Sequence, residues 1–330
     1  MVDRSPGVGP TTPFFLYGLR SVTEAAARAA WEWIGRGDKE RGDRAAVEAM
    51  RTALNRLPFD GVVVIGEGEK DAAPELYKGE KVGSEHSAAK YDVAVDPVEG
   101  TTYLAKGLTN AMAVIALAPR GTMLDPGPCF YMEKFAAVSA ARDAIDPAWP
   151  TARKLERLAE VLGKPVSQLT VFVLEKPRHK RLVEEIHAVG ARVALYPAGD
   201  VAGAIMAAMG GGGIDALMGT GGTPEGIISA CAIRALGGTF WGRLDPQLTT
   251  EKAKVREAGL STERWFRLEE LVMSPDVLFC ATGITTGLLF DGVEHDGRHY
   301  RTQTLMLSGM TGERQLLTSW LPIPASERGM

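Results

Sequence analysis

The chain has 330 residues, of which 45% are hydrophobic and 24% charged, with a formal net charge of -4. That length suits two domains and a large core, and the near-neutral charge excludes the basic footprint of a nucleic-acid binder. No stretch reaches about 18 uninterrupted apolar residues, which excludes a helical membrane span. Cys129, Cys231 and Cys280 show no metal-ligand spacing and read as reduced, partly buried thiols of a cytosolic protein. Residues 1–12 lack the basic-then-apolar order of a secretory signal, so a cytoplasmic location is expected.

Ser21-Val-Thr-Glu24 has the form of a capping box, and Val22, Ala26, Ala29, Trp33 and Ile34 follow at helical spacing. Gly35-Arg-Gly-Asp-Lys39 reads as a polar loop. Asp43 reads as the N-cap of a second helix with Ala46, Val47, Met50 and Leu54 on one face. Val62-Val-Val-Ile65 is a buried strand. It runs into Gly66-Glu-Gly-Glu-Lys-Asp71, where glycines let the backbone turn tightly and bring three acids near one point.

Tyr91, Val93 and Val95 alternate with Asp92, Ala94 and Asp96, the period-two pattern of a strand with one buried face. Pro97 cannot donate to a ladder and should end it. Asp96 and Glu99 then flank a turn beside Gly100 and Thr101. Ala111 to Ala118 is a further buried strand. Residues 119–150 hold five prolines and read as loop, including Tyr131-Met-Glu-Lys134.

From about residue 148 strands and helices alternate. Helices are expected at 152–162, 178–189, 201–209 and 225–236, and strands at 170–174, 191–196 and 214–218. That rhythm predicts α/β units with at least part of a parallel sheet. A domain boundary is placed near 145–150, giving domains 1–148 and 149–330, with the last strands free to pack back on the first. Lys176-Pro-Arg-His179 and Gly219-Thr-Gly-Gly-Thr-Pro-Glu-Gly226 each follow a strand and open a helix, where free N–H groups and the helix dipole favour an anion. Asp200 reads as a helix N-cap and Glu225 as either a helix start or a ligand. A helix near 249–258, a strand at 277–281 and a hairpin turning at His295-Asp-Gly297 complete the chain. The five histidines show no metal-ligand spacing.

Carboxylates at two strand ends, with candidates at Asp43 and Glu225, suit a hard cation such as Mn2+ or Mg2+. Basic helix starts suit phosphate. Two metals about 3.5–4 Å apart would stabilise the attacking and leaving oxygens of an in-line displacement. Thr101, with an acid from Glu69 or Asp71, is suited to orient and deprotonate the attacking water. The set suggests a metal-dependent phosphatase.

At these residues the chain resembles the class II fructose-1,6-bisphosphatases of bacteria, within the lithium-sensitive phosphatase superfamily. The matching stretches are Gly35-Arg-Gly-Asp-Lys39 with Asp43, Ile65-Gly-Glu-Gly-Glu69, Gly79-Glu-Lys-Val-Gly83 and Val95-Asp-Pro-Val-Glu-Gly-Thr101. They continue with Tyr131-Met-Glu-Lys134, Lys176-Pro-Arg178, Gly199-Asp-Val201, Gly221-Gly-Thr-Pro-Glu-Gly226 and Ala281-Thr-Gly-Ile-Thr285. Together they cover most of 17–310.

The resemblance implies an α/β chain of the layered sugar-phosphatase type, with an α+β phosphatase domain, a second α/β domain and the site between them. It places Asp43, Glu67, Asp96, Glu99 and Glu225 on metal-ligand positions, and Thr101 with Glu69 or Asp71 on the water-activating group. Gly100, Thr101, Tyr131, Lys176, Arg178, Asp200 and Gly222 fall on sugar-phosphate contacts, and Lys39 is a further candidate. The implied reaction is hydrolysis of the 1-phosphate of fructose 1,6-bisphosphate in carbohydrate metabolism and gluconeogenesis, with sedoheptulose 1,7-bisphosphate as a second substrate. A homodimer or homotetramer is implied, with neither nucleic acid nor membrane as a partner. The competing readings are an inositol- or nucleotide-phosphate phosphatase of the same superfamily and a non-catalytic sugar-phosphate sensor. Two departures bear on selectivity: Ala198 stands where many relatives carry a second acid, and the 84–90 segment differs in length and composition.

Overall fold

The structure is a computed structural model that describes residues 13–67, 76–84 and 87–323. In chain order it begins with α1 (Pro13–Trp31), α2 (Lys39–Leu54), β1 (Asp60–Ile65), β2 (Lys81–Gly83), β3 (Lys90–Glu99), α3 (Thr101–Lys106) and β4 (Met112–Pro119). It continues with β5 (Tyr131–Ala137), α4 (Thr151–Leu162), β6 (Thr170–Leu174), α5 (Lys180–Ala188), β7 (Arg192–Tyr196), α6 (Asp200–Met209) and β8 (Ala216–Gly222). Then come α7 (Thr223–Leu236), β9 (Thr239–Leu244), α8 (Thr249–Glu257), β10 (Trp265–Arg267) and α9 (Leu268–Leu271). The chain closes with β11 (Leu278–Gly283), β12 (Glu294–His295), β13 (His299–Ser308) and β14 (Arg314–Pro322). This is the expected mixed α/β chain.

It divides into two compact units. One comprises Met1–Thr122 with Asp276–Met330, the other Met123–Pro275. The division falls at residue 122, ahead of the change of character at 145–150. The reason is β5, which pairs with β8 and β9 and so draws its whole approach into the second unit.

The first unit is built on an eight-stranded sheet in the order β12-β13-β11-β4-β3-β1-β2, with β14 on β13. β1 and β3 are parallel neighbours, and the other pairings are antiparallel. β3 is buried on both faces after its first residue, apart from half-buried Asp96. The expected single buried face fails, since Asp92 and Ala94 are buried as well as Tyr91, Val93 and Val95 on the opposite face. Helix α1 begins at Pro13 and runs unbroken through Ser21, whose hydroxyl bonds back to the Gly18 carbonyl at 2.6 Å. The Ser21–Glu24 spacing is therefore not a helix start. Glu24 is instead buried, accepting from Arg20 and from Thr302, while Thr23, Thr282 and Thr304 form a buried hydroxyl chain. Satisfied polar groups of this kind fix one helix-on-sheet register where apolar contacts alone would permit several.

The second unit carries a six-stranded sheet in the order β10-β9-β5-β8-β6-β7. β6 is parallel to β7 and β8, as the alternating rhythm predicts, and β5 is antiparallel to both of its neighbours. Leu155, Leu158 and Ala159 of α4 pack with Phe135, Val171, Val173 and Met218 of the sheet. Burying each large aliphatic or aromatic side chain contributes about 1.5–3 kcal/mol. Gly203 of α6 lies against Phe172, where an added Cβ would meet the ring at 2.5 Å. All three cysteines are buried and none forms a disulfide among the described residues.

Candidate active site

In the first unit the acids collect at one end of the sheet. The parallel register pairs Ile65 with Ala94. Glu67 and Asp96 each lie two residues further on, so the neighbouring parallel strands deliver them to the same end. β3 does not stop at Pro97. It continues to Glu99 through a register shift between Asp96 and Glu99, which accommodates the proline that cannot join the ladder. The shift brings a carboxylate oxygen of Asp96 and one of Glu99 within 4.8 Å of each other. The Asp96 carboxylate is also oriented locally, since the Val98 N–H donates to its Oδ1 at 3.1 Å.

Gly100 then takes φ of +90° as the N-cap of α3, a conformation that favours glycine. A Cβ there would also meet the Tyr103 ring at 2.7 Å. Thr101 is the first residue of the helix, and Lys39 Nζ donates to the neighbouring Thr102 hydroxyl at 3.0 Å.

Helix α2 begins at Lys39, with Asp38 as its cap accepting from the Arg41 N–H at 3.0 Å. Asp43 therefore lies inside the helix and is not its N-cap. Freed from capping, its Oδ1 is buried without a hydrogen-bond partner. Burial pushes its carboxyl up to about 6. A buried acceptor left unsatisfied costs about 1–3 kcal/mol, more when charged, and a hard cation would supply the missing partner. Glu80 of the Gly79–Gly83 stretch has a different role: it pairs with Arg51 at 2.6 Å.

In the second unit the end of β8 is held from several sides. Arg178 donates through Nε and Nη2 to the Thr220 carbonyl at 3.0 and 2.7 Å. The Thr220 N–H donates to His179 Nε2 at 2.8 Å, and His179 Nδ1 bonds the Leu174 carbonyl at 2.7 Å. These partners define a neutral imidazole protonated at Nδ1. Burial holds the His179 pKa below its ordinary value, against the opposing effect of the Leu174 bond. The Thr220 hydroxyl donates to Asp245 at 2.6 Å, and the Asp245 N–H donates to the Tyr131 carbonyl at 2.9 Å. The Arg178 guanidinium lies 5.2 Å from the centre of the Tyr131 ring.

Asp200 is the first residue of α6, behind a Gly199 cap, and forms a buried ion pair with Lys134 at 2.6 Å. Two glycines make room here. A Cβ at Gly221 would sit 2.0 Å from Asp200 Oδ2, and one at Gly222 would sit 1.8 Å from Glu225 Oε2. Glu225 occupies the first turn of α7, and its Oε2 is buried without a hydrogen bond. Like Asp43, it presents an oxygen that lacks a donor and suits a cation.

The model of the family described as bacterial fructose-1,6-bisphosphatase, glpX-encoded, matches residues 15–320. The chain belongs to that family. It is 44% identical over 301 residues to fructose-1,6-bisphosphatase 1 class 2 of Escherichia coli strain K12, covering 87% of this chain and 89% of that one. The class 2 fructose-1,6-bisphosphatase of Shigella flexneri matches at the same identity and the same coverage. Among solved structures, extragenic suppressor protein suhB from Bartonella henselae aligns over 58% of this chain and 73% of its own, with 16% identity and a TM-score of 0.34.

Set against the motifs of this bisphosphatase family, the first unit gathers Glu67, Asp96, Glu99, Gly100 and Thr101 at the β1 and β3 ends, with Asp43 and Lys39 on α2. Glu69 and Asp71 lie outside the described residues. The second unit gathers Tyr131, Arg178, Asp200, Gly222 and Glu225 around the end of β8, with Lys176 opening the turn before α5. Two local expectations are corrected. Tyr131-Met-Glu-Lys134 is no loop but the start of an inner strand, where ladders to β8 and β9 outweigh the flanking prolines. Asp200 does not cap its helix: Gly199 holds the cap position, and the Asp200 carboxylate pairs with Lys134.

Sequence reasoning quoted Lys134, His179 and Thr220 within motifs without giving them a role, and passed over Asp245. The one available signal was Lys134, a cation alternating with apolar residues two places from Met132. The bonds that join His179, Thr220 and Asp245 to one another span 25 to 41 residues, which no local pattern reports.

Proposed function

We infer that this chain is a phosphoric monoester hydrolase that converts fructose 1,6-bisphosphate to fructose 6-phosphate and phosphate. The family match over residues 15–320 carries the reading, and the convergence of acids at the β1 and β3 ends is consistent with it. Asp43, Glu67, Asp96, Glu99 and Glu225 would hold the divalent metal, Mn2+ or Mg2+. The all-oxygen donor set and the two orphaned oxygens, on Asp43 and Glu225, fit such an ion. When bound, the ion supplies Lewis-acid polarisation of the phosphoryl oxygens and neutralises charge that develops there.

The remaining work falls to side chains. Thr101, with Glu69 or Asp71, orients the attacking water and takes its proton. Lys176 and Arg178 hold the phosphate that does not react, a remote handle that positions the one that does. Arg178 suits this role because Thr220 fixes its guanidinium by two hydrogen bonds. Tyr131, Asp200 and the backbone at Gly100, Thr101 and Gly222 line the sugar. Sedoheptulose 1,7-bisphosphate shares the reacting end and is the second substrate of this reading.

The test is phosphate release from fructose 1,6-bisphosphate with Mn2+ or Mg2+, beside inositol monophosphate and phosphoadenosine nucleotides. Turnover of the sugar bisphosphate, lost in Thr101→Ala, is expected. Preferential turnover of either competing substrate, or full activity in Thr101→Ala, would overturn the assignment.

A further inference from the structure

Glu251 in the first turn of α8 is 1% exposed, yet forms no ion pair among the described residues. Its charge is met by four backbone N–H groups, with one thiol beside them. Oε2 accepts the N–H groups of Gln247 and Leu248 at 2.8 and 3.2 Å, the reciprocal half of a capping box at the start of α8. That role needs only one oxygen. Oε1 reaches 120 and 121 residues back along the chain, accepting from Tyr131 N–H at 3.0 Å and Phe130 N–H at 2.6 Å. The Cys129 thiol lies 3.7 Å from the same oxygen. Burial, then the Glu251 charge acting the same way after a weaker opposing backbone bond, pushes that thiol up to about 11, so it stays protonated and donates.

The backbone at Tyr131 is therefore gripped from both sides, by Glu251 at its N–H and by the Asp245 N–H at its carbonyl. N–H bonds to a buried carboxylate are the short, strong kind. The Tyr131 ring in turn faces the Arg178 guanidinium, which is tied to Thr220, itself bonded to Asp245. One continuous network thus runs from the α8 start to two side chains proposed to hold the sugar phosphate.

We propose that Glu251 is a positioning residue for substrate binding, its carboxylate setting Tyr131 against Arg178 and so the width of the sugar-phosphate cradle. This rests on the reading of Tyr131 and Arg178 as substrate contacts. Glu251→Gln keeps the shape but offers one acceptor oxygen, so either the helix start or the strand start loses its bonds.

The experiment is a double-variant cycle with Glu251→Gln and Tyr131→Ala, measuring kcat and KM for fructose 1,6-bisphosphate with Mn2+. Glu251→Gln is expected to raise KM about tenfold, as loss of an orienting partner commonly does, with kcat within about twofold, the pattern of lost binding shared by ground and transition states. In the Tyr131→Ala background the same substitution should leave KM unchanged, because coupled residues are non-additive. A KM rise that adds in full, or none at all, overturns the proposal while leaving Tyr131 a substrate contact. If Tyr131→Ala alone leaves KM unchanged, the substrate reading of Tyr131 fails, and the proposal with it. Should Glu251→Gln fail to fold, Glu251→Asp retains the charge one methylene short, and the same coupling to Tyr131 is expected at a smaller KM rise.

Discussion

Lys134→Met isolates a buried ion pair in the second unit. Lys134 and Asp200 are 1% and 7% exposed at the side chain and 2.6 Å apart. Met fills similar volume but leaves the Asp200 carboxylate buried without its cation. Breaking a buried pair from one side costs about 3–5 kcal/mol, a large share of the roughly 5–15 kcal/mol that holds an ordinary domain together. With a urea dependence of about 2 kcal/mol per molar, the midpoint of that unit should fall by about 1.5–2.5 M. Fluorescence reports the transition, since Trp241 of this unit is 4% exposed. Lys134→Met with Asp200→Leu should recover most of the loss, because a buried pair exchanged for apolar groups is often neutral. The double variant should remain inactive towards fructose 1,6-bisphosphate, having lost a proposed sugar contact. A loss below about 1 kcal/mol in the single variant, or a double variant less stable than the single, would refute the reasoning on the buried charge.

His179 gives a pH dependence with a definite sign. Its folded pKa is depressed, so its contribution to stability is present above the ordinary value and lost as pH falls through the lower, folded one. Urea midpoints should decline below about pH 6.5 in the wild type, and the non-titrating replacement His179→Gln should flatten that decline; an identical slope in both proteins would contradict it. Gly222→Ala should separate stability from binding. Its Cβ would displace the far end of Glu225, 1.8 Å away, rather than any backbone. Stability should shift by under about 1 kcal/mol while divalent-metal affinity, read by calorimetry without substrate, falls about tenfold or more. Unchanged affinity would show that Glu225 Oε2 does not serve a cation.

The sequence was most legible where one segment carries its own signal. Alternating elements between 151 and 236 were placed to within a few residues, because β-branched runs and amphipathic helices there agree with the packing that surrounds them, whereas strand β9 at Thr239–Leu244 was missed. The acids at 96 and 99 were legible as chemistry, but the geometry between them was not. Pro97 reads locally as a stop, whereas tertiary ladders carry β3 past it through a register shift. Capping signals misled twice. Ser21 and Asp43 both have good cap chemistry, yet each lies inside a helix: α1 already runs from Pro13, and Asp38 caps α2 one turn ahead of Asp43. The network from His179 through Thr220 and Asp245 to Tyr131 and Glu251 was illegible for a simple reason. Its bonds join residues 25 to 121 positions apart, and backbone donors leave no mark on side-chain spacing.

The central claim is that the acids at the ends of β1 and β3 serve hydrolysis of a sugar bisphosphate by way of a divalent cation. It is tested most directly by adding Mn2+ or Mg2+ to chelator-treated protein and following phosphate release from fructose 1,6-bisphosphate, in wild type and in Asp96→Asn. Release that requires the cation and falls at least about a hundredfold in the variant, roughly 2.7 kcal/mol of barrier, is the predicted result. Metal-independent release, or a variant as active as the wild type, would contradict the account.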